Sequence, residues 1–271
     1  MITFHKYLLA YLVLLTEKEV IIINNISLYG ICGVLGFILG IVYLFLICKK
    51  RKVDFNDYIY VYTWAAIGTM IGAKLLYIFL ELKNIFHYFS RYDKFDYIYS
   101  LLSGGFVFYG GLIGAIISIS LSCKYFHLDK NEVFTIITPA MPLAHAFGRI
   151  GCTIVGCCYG VEINDGIGIV YQHSLYAPLG VKLFPVQLTE AFGDIVIFFF
   201  LLYLVYRDRF KNRILIIYLL LYSIMRFSLE FFRGDLDRGG WWIFSTSQWI
   251  SIGILLFVAR FELRRLYFNN K

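Results

Sequence analysis

The chain has 271 residues, 60% of them hydrophobic and 19% aromatic, and only 16% charged. A soluble domain of this length needs far more charge to cover its surface, so the composition excludes an ordinary soluble protein. Lys and Arg number 25 against 18 acids, a net charge of +7, but they fall in short clusters between long apolar runs. That pattern reads as membrane topology and not as nucleic-acid binding.

In chain order, Tyr7–Leu15 is too short to cross a bilayer and reads as an interfacial segment. No small-residue cleavage site follows it, so it is a poor signal peptide. Residues 26–48 hold no charge and are long enough to span, and Lys49, Lys50, Arg51 and Lys52 stop them. Further spans are expected at 58–80, 98–123, 133–158, 184–206, 214–232 and 241–259. The reading is an all-α, polytopic integral membrane protein of about seven helices, one domain over 1–271. The longest connection, 159–183, carries Asn-Asp-Gly and Pro and is expected to form an ordered lid or small hairpin on the outer face.

Loop charge sets the direction. Lys and Arg number four at 49–52, two at 123–132, four at 207–213 and four at 260–271, fourteen on one side. The N-terminal segment, 81–97, 159–183 and 233–240 carry eight. The richer side is expected to be cytoplasmic, which puts the N-terminus outside and the C-terminus inside.

Ionisable groups inside the spans are costly, about 2.5–3.5 kcal/mol each near the bilayer centre on insertion scales, and default to function. They are Lys74, His145, Arg149, Glu190, Asp194, Arg226 and Glu230. Helical spacing arranges them with their neighbours into three stripes: His145, Arg149 and Cys152; Gln187, Glu190 and Asp194; Arg226, Glu230 and Arg233. The bland alternative is that they neutralise one another, with Arg226–Glu230 and Arg149–Glu190 as pairs. Against it, Arg149 has no acid at i±3 or i±4, and pairing every acid would still leave cations over. An anion is the expected occupant, and the planar guanidinium suits phosphate.

Glycine is dense in 104–114, GGFVFYGGLIG. Gly110-x-x-x-Gly114 is a helix-packing pattern, and the crowding also suggests a helix break lining a cavity. Tyr109 either points into that cavity or simply packs. Residues 148–160, GRIGCTIVGCCYG, bring an arginine and three cysteines to a span end. Cys152, Cys157 and Cys158 lack a convincing fourth zinc ligand, so no metal is assigned. They read as buried thiols, with a bridge to Cys152 open to either neighbour of the Cys157–Cys158 pair. No nucleotide motif is present, and no cofactor is expected.

Five stretches carry a resemblance: GRIGCTIVGCCYG at 148–160, FYGGLIG at 108–114, FPVQLTE at 184–190, RFSLEFFRGD at 226–235 and SLYG at 27–30. Together, from about 26 to 260, they resemble the prolipoprotein diacylglyceryl transferase family. The resemblance implies a bacterial cytoplasmic-membrane transferase with seven spans. It implies that the diacylglyceryl group of phosphatidylglycerol passes to the lipobox cysteine of a prolipoprotein signal peptide, and that glycerol-1-phosphate leaves. By motif, it makes Arg149 and Arg226 the essential arginines and Tyr29 the first-span tyrosine. Gly151 and Gly160 match signature glycines, and Gln187, Glu190, Glu230 and Arg233 the polar stripe. Gly110 and Gly111 fall in the matching glycine stretch beside Tyr109, which stands where the family carries His. The usual polar signature is altered too: Cys152 replaces Asn, Val155 a second Asn and Cys157 a Glu, and Phe184 replaces the His before Pro185. The phosphate-handling arginines persist better than the thiol-activating groups. A membrane transferase with another acceptor, or a lipid carrier, is the alternative reading.

Overall fold

The computed structural model describes residues 22–23, 26–88, 105–235 and 240–269. The segment Tyr7–Leu15, residues 89–97, Gly104 and the start of the third expected span lie outside them. Two compact units divide the chain: Met1–Tyr43 with Thr138–Lys271, and Leu44–Ile137.

A two-residue pairing of β1 (Ile22–Ile23) with β2 (Ile26–Ser27) leads into helix α1, Leu28–Arg51. Lys49, Lys50 and Arg51 close its last turn, where cations suit the negative end of the helix dipole. In the Leu44–Ile137 unit follow α2 (Phe55–Tyr88), α3 (Phe108–Tyr125) and α4 (Lys130–Ile137). Helices α2 and α3 meet through glycine on both sides. A Cβ at Gly72 would strike the Gly110 carbonyl, and one at Gly114 would strike the Gly68 carbonyl. The chain is non-helical over 105–107, with Gly105 at φ of 52°, so the expected break lies before Gly110 and Gly111, and α3 starts at Phe108 and runs through Gly110, Gly111 and Gly114. Packing, not opening, is what they serve, because without a hydrophobic force between helices close backbone approach supplies the attraction.

The expected span 133–158 is broken at Thr138–Pro139, where proline offers no N–H to continue α4. Helix α5, Ala140–Val155, then ends at Gly156, which takes φ of 80° and donates its N–H to the Cys152 carbonyl. Cys157 and Cys158 therefore lie in the turn beyond the helix. The connection that follows is an ordered hairpin, as its turn residues imply: β3 (Ile169–Val170) pairs antiparallel with β4 (Lys182–Leu183) over a small core of Tyr171, Ala177 and Leu183. Helices α6 (Val186–Tyr206), α7 (Ile214–Leu229) and α8 (Thr246–Asn269) complete the unit, α5 packing on α6, α6 on α7 and α7 on α8.

Helix α7 gives way to a 3-10 turn over Glu230–Phe232, and Arg233 is extended, with φ of −87° and ψ of 138°. The expected helical stripe of Arg226, Glu230 and Arg233 thus loses its third member. Among the described residues six helical segments are long and apolar enough to cross a membrane, α4 and α5 together counting as one over Lys130–Val155. The seventh span, expected at 241–259, is a hairpin of β5 (Gly240–Trp241) and β6 (Phe244–Ser245) followed by α8, whose later turns carry Arg260, Glu262, Arg264 and Arg265. The all-α, polytopic character holds, with the last helix starting later than its apolar run suggested.

Candidate active site

Three helices of the larger unit place the polar stripes face to face. On α6, Gln187, Glu190 and Asp194 are all buried. His145 Nδ1 lies 2.7 Å from Asp194 Oδ2, and Arg149 Nη2 lies 2.8 Å from Glu190 Oε2. Tyr222, one turn before Arg226 on α7, donates its hydroxyl to Glu190 Oε1 at 3.5 Å and sets its ring 5.5 Å from His145. Arg226 Nη2 contacts Glu230 Oε2 at 2.7 Å and donates to Ser247 Oγ at 3.2 Å.

The expectation that Arg149 is the less paired arginine is overturned. Glu190 is its partner, on another helix, so both ion pairs of the neutralising alternative form, Arg149–Glu190 and Arg226–Glu230. Leftover cationic charge is corrected in the same way: Arg233 Nε and Nη2 each reach Asp235, both at 2.9 Å. Burial works against the Arg233 charge, but the Asp235 bonds prevail and raise its pKa above the ordinary value. What remains open to an anion is directional and not a matter of net charge. Arg149 Nε and Arg226 Nη1 are buried without a hydrogen-bond partner among the described residues. A buried donor left unmade costs about 1–3 kcal/mol.

The hairpin is tied to this cluster. Gln187 Nε2 donates to the Cys157 carbonyl at 2.9 Å, and the Tyr171 hydroxyl donates to the Thr153 carbonyl at 3.0 Å. Burial, with the neighbouring Cys157 adding to it, pushes the Tyr171 phenol up to about 12. Gly160 pairs with Arg233 across an isolated bridge, and a Cβ there would strike the Phe184 carbonyl. At Gly151 a Cβ would come within 3.0 Å of Tyr29 Cδ2 and 3.2 Å of Cys32 Cβ. That glycine therefore lets α1 lie against α5 and sets Tyr29, 45% exposed, beside the signature. Arg149 Nη1 reaches Cys152 Sγ at 3.7 Å, and the sulfurs of Cys152, Cys157 and Cys158 all lie within 4.8 Å of one another.

The structure thus brings together Tyr29, Arg149, Gly151, Gly160, Gln187, Glu190, Arg226, Glu230 and Arg233 within one unit. Tyr109, Gly110 and Gly111 belong to the other. There Tyr109 is 3% exposed beside Phe108, Gly110 meets Gly72 and Leu76, and Gly111 meets Thr69. Sequence reasoning missed Tyr222, Ser247 and Asp235. The first lies at i−4 from Arg226 and the last at i+2 from Arg233, signals that were available; nothing in the sequence pointed to Ser247.

The family model described as prolipoprotein diacylglyceryl transferase matches residues 19–262. A Clostridium tetani protein named phosphatidylglycerol–prolipoprotein diacylglyceryl transferase is 35% identical over 240 residues, 86% of this chain and 93% of that protein. A second protein of that name from Clostridium perfringens is 37% identical over 190 residues, 70% and 72% of the two chains. One from Finegoldia magna is 32% identical over 233 residues, 86% and 88%.

Proposed function

The chain belongs to the prolipoprotein diacylglyceryl transferase family, and from that premise we propose how its own residues carry the reaction. It is a multi-pass bacterial membrane transferase. Phosphatidylglycerol is the donor and the lipobox cysteine of a prolipoprotein signal peptide the acceptor. The acceptor sulfur attacks the glyceryl carbon, the carbon–oxygen bond breaks, and glycerol-1-phosphate leaves with the electron pair.

One observation supports the assignment of the phosphate site: two buried guanidinium groups in one unit each keep a buried N–H without a hydrogen-bond partner, Arg149 Nε and Arg226 Nη1. Phosphate oxygens would satisfy both and remove a desolvation cost already present in the fold. As charge collects on the leaving phosphate, fixed donors stabilise it without reorganising. Glu190 and Glu230 hold the two planes at set angles through their ion pairs. Arg233 and Gln187 brace the hairpin against α5 and α6 and do not bind the phosphate themselves, since Asp235 and the Cys157 carbonyl occupy them. Tyr29 orients the acceptor near Gly151. Glu190 is assigned to the acceptor side, receiving the thiol proton through water. The N-terminus faces outward and the C-terminus the cytoplasm, so that lipid enters from the outer leaflet of the cytoplasmic membrane.

Purified protein in lipid nanodiscs, given labelled phosphatidylglycerol and a lipobox peptide, is expected to form a diacylglyceryl thioether and to release glycerol-1-phosphate. It is also expected to rescue a cell depleted of its own transferase. Absence of the thioether with intact lipid binding would overturn the acceptor, and absence of lipid binding would overturn the phosphate site.

A further inference from the structure

We propose that Cys152, Cys157 and Cys158 form a zinc site with one open coordination place, which takes the acceptor thiol of the reaction proposed above. Three cysteine sulfurs within 4.8 Å of one another are already close to what a single ion requires. Zinc–sulfur bonds of about 2.3 Å in a tetrahedron set sulfurs about 3.8 Å apart, so the site closes by about an ångström. All three residues are thiols, none joined in a disulfide.

The backbone is shaped to converge them. Cys152 sits in the last turn of α5. Gly156 then takes φ of 80° and Cys158 takes φ of 60°, which folds the chain back on the helix end. A non-glycine residue in the left-handed region is uncommon and costs energy. Gln187 on α6 holds the intervening Cys157 carbonyl at 2.9 Å. Arg149 supplies charge balance: three thiolates around a divalent ion leave one negative charge, and Arg149 Nη1 stands 3.7 Å from Cys152 Sγ.

Three ligands are the number found in this cluster among the described residues. Structural zinc sites close with four protein ligands, whereas three with an accessible side leave a place for a substrate. Cys152 is buried, but Cys157 and Cys158 are partly exposed, which provides that side. A peptide thiol entering the open place loses its proton to water and is held as a thiolate, the form that attacks carbon. The carbon–sulfur bond then forms as the carbon–oxygen bond to phosphate breaks, and the electron pair leaves on glycerol-1-phosphate beside Arg149. The inference rests on the transferase reading for its acceptor, while metal binding itself is measured without turnover.

The test uses the full chain, reduced, in nanodiscs and titrated with cobalt(II) as a zinc surrogate. Stoichiometric sulfur-to-cobalt charge-transfer absorption with tetrahedral d–d bands is expected, removed by added zinc. Lipobox peptide should raise the charge-transfer intensity by about a third, from three thiolates to four, and its Cys→Ser version should not. Cys152→Ala, Cys157→Ala and Cys158→Ala should each abolish the tetrahedral spectrum. Cys157→His should restore it with weaker charge transfer, which excludes simple misfolding. No charge-transfer band, or a band unchanged in the alanine variants, overturns the site. A band that ignores the peptide thiol overturns the open place. Thioether formation at the parental rate in the triple alanine variant overturns the metal role and leaves the transferase standing. A peptide-sensitive cobalt spectrum without transfer from zinc-loaded protein breaks the transferase reading and leaves the site.

Discussion

Two regions of this protein solve the same problem in opposite ways. In the Leu44–Ile137 unit, α2 and α3 are joined by removing side chains: Gly68, Gly72, Gly110 and Gly114 bring the two backbones into contact. In the larger unit, α5 and α6 are joined by adding charge: His145–Asp194 and Arg149–Glu190 cross between them, Tyr222 of α7 donates to Glu190, and Arg226–Glu230 closes the end of α7. Close approach is cheap in a bilayer and leaves nothing that can react. Buried ion pairs are expensive to assemble, but they hold oriented donors in a dry setting, which is what a charged transition state needs. The division teaches that the glycine-rich stretch, despite its density, marks packing, and the chemistry follows the buried charges.

The largest test of that contrast is Arg149→Gln. It removes a phosphate donor and leaves Glu190, 2% exposed, without its cation. Breaking a buried pair costs about 3–5 kcal/mol, and transfer should fall by more than ~10-fold, from one lost charged hydrogen bond to the phosphate and the displaced Glu190. Arg149→Gln combined with Glu190→Gln should recover yield and thermal stability in nanodiscs but not turnover. Recovery of turnover as well would make the pair a structural clamp only. Next in size is Arg226→Gln, expected to lower transfer by ~10-fold, with Arg226→Lys restoring part because an ammonium lacks the paired contact. Equal or greater loss than at Arg149 would reverse the assigned ranking of the two arginines.

Gly114→Leu tests the other region. The new side chain meets the Gly68 carbonyl, and overpacking should cost about 1–3 kcal/mol. Gly148→Ala, where nothing lies within 4 Å of the added carbon, should be near neutral. Thermal unfolding of both variants checks this, and a Gly114→Leu protein as stable as the parent would remove the close-packing account. The smallest effect is at Tyr171. Its phenol is raised from 10.0 to about 12, so the hairpin gains stability below pH 10 and loses it as pH rises toward 12. Tyr171→Phe should weaken the hairpin by about 1 kcal/mol at neutral pH and abolish that alkaline step. Hydrogen exchange of 169–183 against pH reads both.

Spans, the hairpin at 159–183, the buried-charge inventory and the family were legible in the sequence by itself, because apolar length, turn chemistry and motif order are properties of neighbours along the chain. Spacing along one helix even brought Arg226 and Glu230 together. It misplaced Arg233, since the turn from helix to extended chain after Leu229 is made in part by pairing with Gly160, far away in sequence. Only the tertiary structure decided that Arg149 belongs to Glu190, that Gly110 and Gly114 lie against another backbone, and that Cys157 and Cys158 swing back toward Cys152. Each of these depends on which faces two separate segments present to each other. In a chain where nearly every residue in a span is apolar, the pattern within one helix scarcely marks its facing side.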